Sequence, residues 1–146
     1  MKVFQRLVSV ILFYDQKGRI LLQGRSGKVS KSGEEWGFFG GGIDEDETPE
    51  QAIMREIKEE LGYNLKRPVK IGNYCNQYYN LKEKVHRKIY RTIFVAPLND
   101  EIINSRVIEG DESKLFSTED AKKLKLIPGD KEIIKIFENY WQSSQK

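Results

Sequence analysis

Glu56, Glu59 and Glu60 stand at i, i+3 and i+4. In a helix they would share an arc of roughly 100°. Like charges at those spacings destabilise a helix by about 0.2–0.5 kcal/mol per pair, so the pattern calls for compensation. A solvated acidic face, relieved by an Arg55–Glu59 pair at i+4, is one answer. The other is a hard-cation site, since oxygen donors suit Mg²⁺ or Mn²⁺. Gly40-Gly41-Gly42 shifts the balance towards the cation, because glycine lets backbone carbonyls and amides approach a metal or a phosphate. Ile53, Ile57 and Leu61 form an adjacent apolar stripe, which puts the carboxylates at the edge of the buried face.

Other anion and cation motifs fail at particular positions. Asp44-Glu45-Asp46-Glu47-Thr48 opens like a calcium loop, but Pro49 stands where Gly is required and Arg55 where the last Glu is required. Gly27-Lys28 is followed by Val29, so there is no phosphate-binding loop of the Gly-Lys-Ser/Thr type. One His and one Cys exclude a zinc cluster and leave no good Cys/His or Ser/His/Asp set.

The elements that must position these residues are legible as an α/β (α+β) order in one domain, residues 1–146. Val8–Phe13, the turn Asp15–Gly18 and the return Arg19–Gln23 read as a hairpin. Gly24–Gly33 reads as a polar loop, and Trp36–Phe39 as a short aromatic strand running into the glycines. Thr48 as N-cap, Pro49 at the first helical position and Gln51 completing a capping box start a helix; Gly62 ends it. Val69–Tyr79 and His86–Ala96 follow as strands, with Lys114–Phe116 a shorter one. Ser117–Asp120 caps a brief helix, and Pro128-Gly129-Asp130 opens an amphipathic one through about Trp141. Helices packed against a mixed sheet are the expected architecture.

Composition narrows the setting. Seven Phe, seven Tyr and two Trp argue against disorder. The net charge of +3 suits a small anionic substrate but is too low for a nucleic-acid domain, which clusters Lys and Arg into a stripe. No stable nucleic-acid partner is expected. Cys75 is the sole cysteine, so an intrachain disulfide is excluded and a reducing, cytoplasmic setting follows. Val3–Tyr14 contains Arg6, precedes Asp15 and lacks a small-residue cleavage site, which marks a buried strand rather than a leader. No run approaches the roughly 18 apolar residues of a membrane span.

Gly41, five residues, Glu47, seven residues and Arg55-Glu56-Ile57-Lys58-Glu59-Glu60-Leu61-Gly62-Tyr63 together resemble the Nudix box of the MutT-like Nudix hydrolases. The resemblance extends over essentially the whole chain and implies an α/β/α sandwich with a mixed sheet. Asp46 stands where many members carry Gly, Phe39 where many carry Pro, and aromatic Tyr63 where an aliphatic is commoner.

The resemblance implies Mg²⁺-dependent hydrolysis (Mn²⁺ being the alternative) of a diphosphate linkage in a nucleoside diphosphate derivative, a phosphorus-containing acid anhydride. Glu56, Glu59, Glu60 and the Gly40 carbonyl would hold the metal, with Glu109 supplying a further ligand. Glu56 or Glu59 would orient or deprotonate water, Arg55 would hold the glutamates, and Glu47 would fix the loop–helix junction. Gly41 would meet the substrate phosphates, Arg25 would either touch one or stand as a solvated strand-end arginine, and Trp36 would stack on a base. Tyr78 and Tyr79 are further stacking candidates, whereas Phe39, His86 and Cys75 read as packing residues. The leading substrate is a nucleoside triphosphate or an oxidised dNTP, cleaved with release of pyrophosphate. Nucleotide sugars, dinucleoside polyphosphates and RNA 5′ ends are alternatives, as is a catalytically silent nucleotide-binding module. A homodimer is expected by analogy alone.

Overall fold

The computed structural model describes residues 2–24, 35–104 and 112–145. Strand β1 (Val3–Tyr14) organises the rest. Its side chains alternate, as a strand's period of two requires. Val8, Val10 and Leu12 enter one hydrophobic core, Ile11 and Phe13 another on the opposite face. Along one edge β1 runs parallel to β6 (Val85–Pro97), from Val3 beside His86 to Tyr14 beside Pro97. Along its other edge it pairs antiparallel with β4 (Phe39–Gly42) and then, at Tyr14 and Ile20, with β2 (Ile20–Gly24). β3 (Trp36–Gly37) and β7 (Glu112–Phe116) flank β2, and β5 (Val69–Asn80) flanks β6.

Helix α1 (Pro49–Leu61) covers one face with Ile53, Ile57 and Leu61. Each of these buried side chains contributes about 2 kcal/mol of burial. Thr48 and Gln51 form the expected capping box, and Gly62 takes the left-handed position at φ 67°. The short α2 (Asp100–Asn104) adds Ile102 to the same core. The brief α3 (Thr118–Ala121) and the long α4 (Asp130–Ser144) cover the other face with Ala121, Ile133, Ile134 and Phe137. The result is the expected α/β/α sandwich around a mixed sheet.

The details depart from the sequence reading in three places. The Trp36–Phe39 strand is two strands, because Trp36–Gly37 pairs with β2 whereas Phe39–Gly42 pairs with β1. Gly40–Gly42 therefore belong to the sheet rather than to a loop. Gly40 adopts φ +136°, and a β-carbon there would fall 2.1 Å from the Ser9 carbonyl oxygen, so only glycine lets β4 lie this close to β1. Helix α2 has no counterpart in the sequence reading. Among the described residues, no helix is long and apolar enough to cross a membrane.

Candidate active site

Arg55 is the hub of the loop–helix junction. Its Nε and Nη2 donate to the two carboxylate oxygens of Glu47 at 2.7 and 2.8 Å, and Nη2 also donates to the Gly42 carbonyl at 3.0 Å. Nη1 donates to Glu56 at 3.0 Å and reaches Glu59 at 3.4 Å. One fixed guanidinium fork thus neutralises carboxylates from the loop and from two turns of α1. The hydrogen bond from Arg55, followed by one from the Asp44 N–H, pulls the Glu47 carboxyl from its ordinary 4.5 down to about 2. The same pairing holds the Arg55 guanidinium above its usual range.

Glu60 faces inward. It is 3% exposed; its Oε1 accepts from the Gly40 N–H at 2.9 Å and its Oε2 from the Gln23 carboxamide at 3.0 Å. Gln23 donates from the same nitrogen to the Phe38 carbonyl at 3.1 Å. Glu56 lies against Gly41, where a β-carbon would stand 2.6 Å from its carboxylate. Glu59, with its side chain 52% exposed, is the one that behaves as a solvated helix residue. Burial removes the simplest alternative, an acidic face turned to water, for Glu60 and much of Glu56.

Glu56, Glu60, Gly40 and Gly41 form one end of a cleft of about 320 Å³. Its floor is the sheet face carrying Arg6, Val8, Val10, Ile89 and Arg91, and Asp130 closes the far side. Arg6 lies beside Gly42, its Nη2 3.4 Å from where a β-carbon would be. Arg91 and Asp130 are both 3% exposed in their side chains and 3.5 Å apart. Arg91 also donates to Asn76 at 2.7 Å and to the Pro128 carbonyl at 3.1 Å. The cleft is thus acidic at one end and carries two arginines along its floor, Arg91 held by its ion pair with Asp130 and Arg6 exposed.

A family model described as NUDIX domain matches residues 3–137. The chain belongs to the Nudix family. An RNA pyrophosphohydrolase of Hamiltonella defensa is 37% identical to it over 86 residues, 59% of this chain and 48% of that protein. A CTP pyrophosphohydrolase of Escherichia coli is 37% identical over 62 residues, 42% of this chain and 43% of that one. The chain spans between about a quarter and a half of the length of the curated relatives it matches. A MutT protein from Methanosarcina mazei shares the fold, with a TM-score of 0.75 over 100% of this chain and 99% of that one at 19% identity.

The Nudix box residues Gly41, Glu47, Arg55, Glu56, Glu59 and Glu60 meet at the join of β4 and α1, as their spacing implied. Among the described residues, no three His, Cys, Asp or Glu side chains converge as a ready cation cage. Glu60 is turned to Gln23 and Gly40, and Glu59 towards Arg55. The donor set nevertheless fits a hard divalent ion in chemistry. It is all oxygen, and the closeness of Glu56 to Gly41 is a cradle that any side chain would fill. Glu59 is exposed enough to rotate.

Trp36 is not brought to this cleft; it packs edge-on against Phe116 at 4.9 Å, with Lys114 5.7 Å from its ring. Arg25 and Glu109 lie outside the described residues. The sequence reading missed Gln23, Arg6, Arg91 and Asp130 as site residues. A signal for Arg6 exists in the alternation of β1, which puts it in phase with Val8 and Val10. Asp130 reads from sequence only as the opening of the last helix.

Proposed function

We propose that this Nudix chain hydrolyses a diphosphate linkage in a nucleotide, using Mg²⁺ (or Mn²⁺), with a nucleoside triphosphate or oxidised dNTP as the leading substrate and pyrophosphate as a product. The observation that carries this reading is the pair of inward carboxylates, Glu56 and Glu60, beside Gly40–Gly41 at the acidic end of a cleft whose floor carries Arg6 and Arg91. Glu56, Glu59, Glu60 and the Gly40 carbonyl would hold the metal, which when bound neutralises phosphate charge and makes water a better nucleophile.

The chain's own residues supply the rest. Arg55 fixes Glu56, whose carboxylate would orient the attacking water and accept its proton. Glu59 is the other candidate for that role. Gln23 and the Gly40 N–H keep Glu60 from swinging away. Arg6 is placed to meet a substrate phosphate, and the cleft floor past Val10 and Ile89 receives the nucleoside. An exposed, unbonded Cys75 accords with a reducing cytoplasmic setting. RNA 5′ ends are the second reading, favoured by relatives named RNA pyrophosphohydrolase and by the basic strands that extend the cleft floor.

The test is release of phosphate or pyrophosphate from dNTPs, 8-oxo-dGTP, a dinucleoside polyphosphate and 5′-triphosphorylated RNA, with Mg²⁺ and with chelator, beside Glu60→Gln. Metal-dependent turnover that falls by about 100-fold or more in the variant is the expected result. Nucleotide binding without turnover of any substrate would instead make the chain a silent nucleotide-binding module.

A further inference from the structure

Beyond the cleft, the sheet continues. Side chains at every second position share a face, so the cleft residues Val8 and Arg6 on β1 lead to Phe4. On β6 Arg91 and Ile89 lead in the same way to Arg87, and opposite them on β5 Tyr74 and Asn76 lead to Tyr78. The registers Phe4–Arg87 and Arg87–Tyr78 make these three one row across three strands. It lies one step of about 7 Å outside the Arg6–Ile89–Asn76 row.

The outer row is aromatic and cationic. The Arg87 guanidinium lies 5.5 Å from the centre of the Phe4 ring and the Lys2 ammonium 5.0 Å from it. Glu83 holds Arg87 there, and Phe4 is 38% exposed. The surrounding charge is one-sided. Segments 2–14 and 69–97 carry Lys2, Arg6, Lys70, Lys82, Lys84, Arg87, Lys88 and Arg91 against the single acid Glu83, although Lys88 lies on the opposite face of β6 and Arg91 is paired with Asp130. With a net charge of only +3, the rest of the chain is net acidic. Composition alone conceals this clustering, which the pairing of β1, β6 and β5 creates.

We propose that the Phe4–Arg87–Tyr78 row is a subsite for single-stranded nucleic acid, taking the nucleotide that follows a 5′-terminal one seated in the cleft. The proposal rests on the reading that the cleft binds a nucleotide. Successive bases stack on exposed rings whatever their sequence, and a cationic groove follows the backbone. Lys2 and Arg87, which lie over the Phe4 ring, would turn to the linking phosphates and give up the ring face to a base, with Tyr78 extending the row. A mononucleotide would leave the row empty; a chain of two or three nucleotides would fill it.

The experiment is competition against a 3′-fluorescein-labelled, 5′-phosphorylated pentaadenylate, followed by anisotropy on the full chain. The competitors are AMP, unlabelled 5′-phosphorylated oligoadenylates of two to five units, and polyglutamate. Affinity should rise at least tenfold from AMP to the trinucleotide and then level off. Phe4→Ser with Arg87→Ser, and Arg87→Gln alone, should abolish or reduce that gain while AMP competes as before. Lys88→Ser removes the same charge from the opposite face of β6 and should leave the gain intact. Affinity independent of length, an equal loss in Lys88→Ser, or polyglutamate competing as well as the oligonucleotide would overturn the subsite. Binding is read without turnover, so a failure of hydrolysis counts against the catalytic reading and leaves the subsite standing.

Discussion

The carboxamide of Gln23 donates to Oε2 of Glu60 at 3.0 Å, joining β2 to α1 beneath the cleft. The two residues are separated in sequence by the whole of β3 and β4, and both are almost fully buried. Hydrogen bonds to a charged group are worth about 1.5–3 kcal/mol, and residues that orient a metal ligand typically govern about 10–100-fold in metal affinity or activity. Gln23→Met should therefore weaken Mn²⁺ binding by about tenfold or more, measured by electron paramagnetic resonance, with turnover falling alongside. Unchanged Mn²⁺ affinity would remove Gln23 from the site.

Gly41 and Gly42 are neighbours with unequal tolerance. A β-carbon at Gly41 would stand 2.6 Å from the Glu56 carboxylate, while at Gly42 its nearest neighbour is Arg6 at 3.4 Å. Gly41→Ala should displace Glu56 and cost at least about tenfold in kcat, roughly 1.4 kcal/mol of barrier, with a melting temperature close to that of the parent. Gly42→Ala should retain most of kcat. Equal kcat losses would show that Glu56 is not what Gly41 makes room for.

The Glu47–Arg55 clamp predicts an acid limb. Glu47 titrates at about 2 when folded against an ordinary 4.5. Its contribution to stability is fully present above 4.5 and is lost as pH falls towards 2, because the unfolded chain takes up the proton first. Denaturant midpoints of the parent should drop more steeply across that window than those of Glu47→Gln. Parallel curves would mean that the clamp does not couple to folding.

Arg91 and Asp130 predict a stability effect. Removing one partner of a buried ion pair typically costs about 3–5 kcal/mol, because the other charge is stranded. Arg91→Met should destabilise the fold by about 3 kcal/mol in equilibrium unfolding, with Asn76 and the Pro128 carbonyl also losing a donor. A loss below about 1 kcal/mol would show that water reaches Asp130 when the guanidinium is gone.

Local signals in the chain proved the most readable. The capping box at Thr48, the Gly62 terminus and the Ile53–Ile57–Leu61 stripe each depend on neighbours within a few residues, and each forms as the sequence predicts. The Nudix box falls in the same class, since its members lie on one loop and one helix. What could not be read depends on pairing across long separations. Gln23 meets Glu60 only because β2 is brought under α1, and Arg6 enters the cleft only because β4 stops at Gly42 beside it. The split of Trp36–Phe39 into two strands is invisible in the sequence for the same reason. Its two halves have different partners, and Trp36 is drawn to Phe116 near the end of the chain.

The parallel pairing of β1 with β6 also sets an order of events during synthesis. Val3 leaves the ribosome well ahead of its partner His86, with β2, β4, α1 and β5 made in between. At about 5–20 residues per second that is a wait of several seconds. Until then α1 can cover the Ile11 and Phe13 side of the strand, but Val8, Val10 and Leu12 lack β6 and α4 to shelter them. Completion of the sheet must therefore be a late, closing event, and a nascent chain stalled before residue 97 would present its central strand to whatever chaperone or neighbouring chain lies within reach.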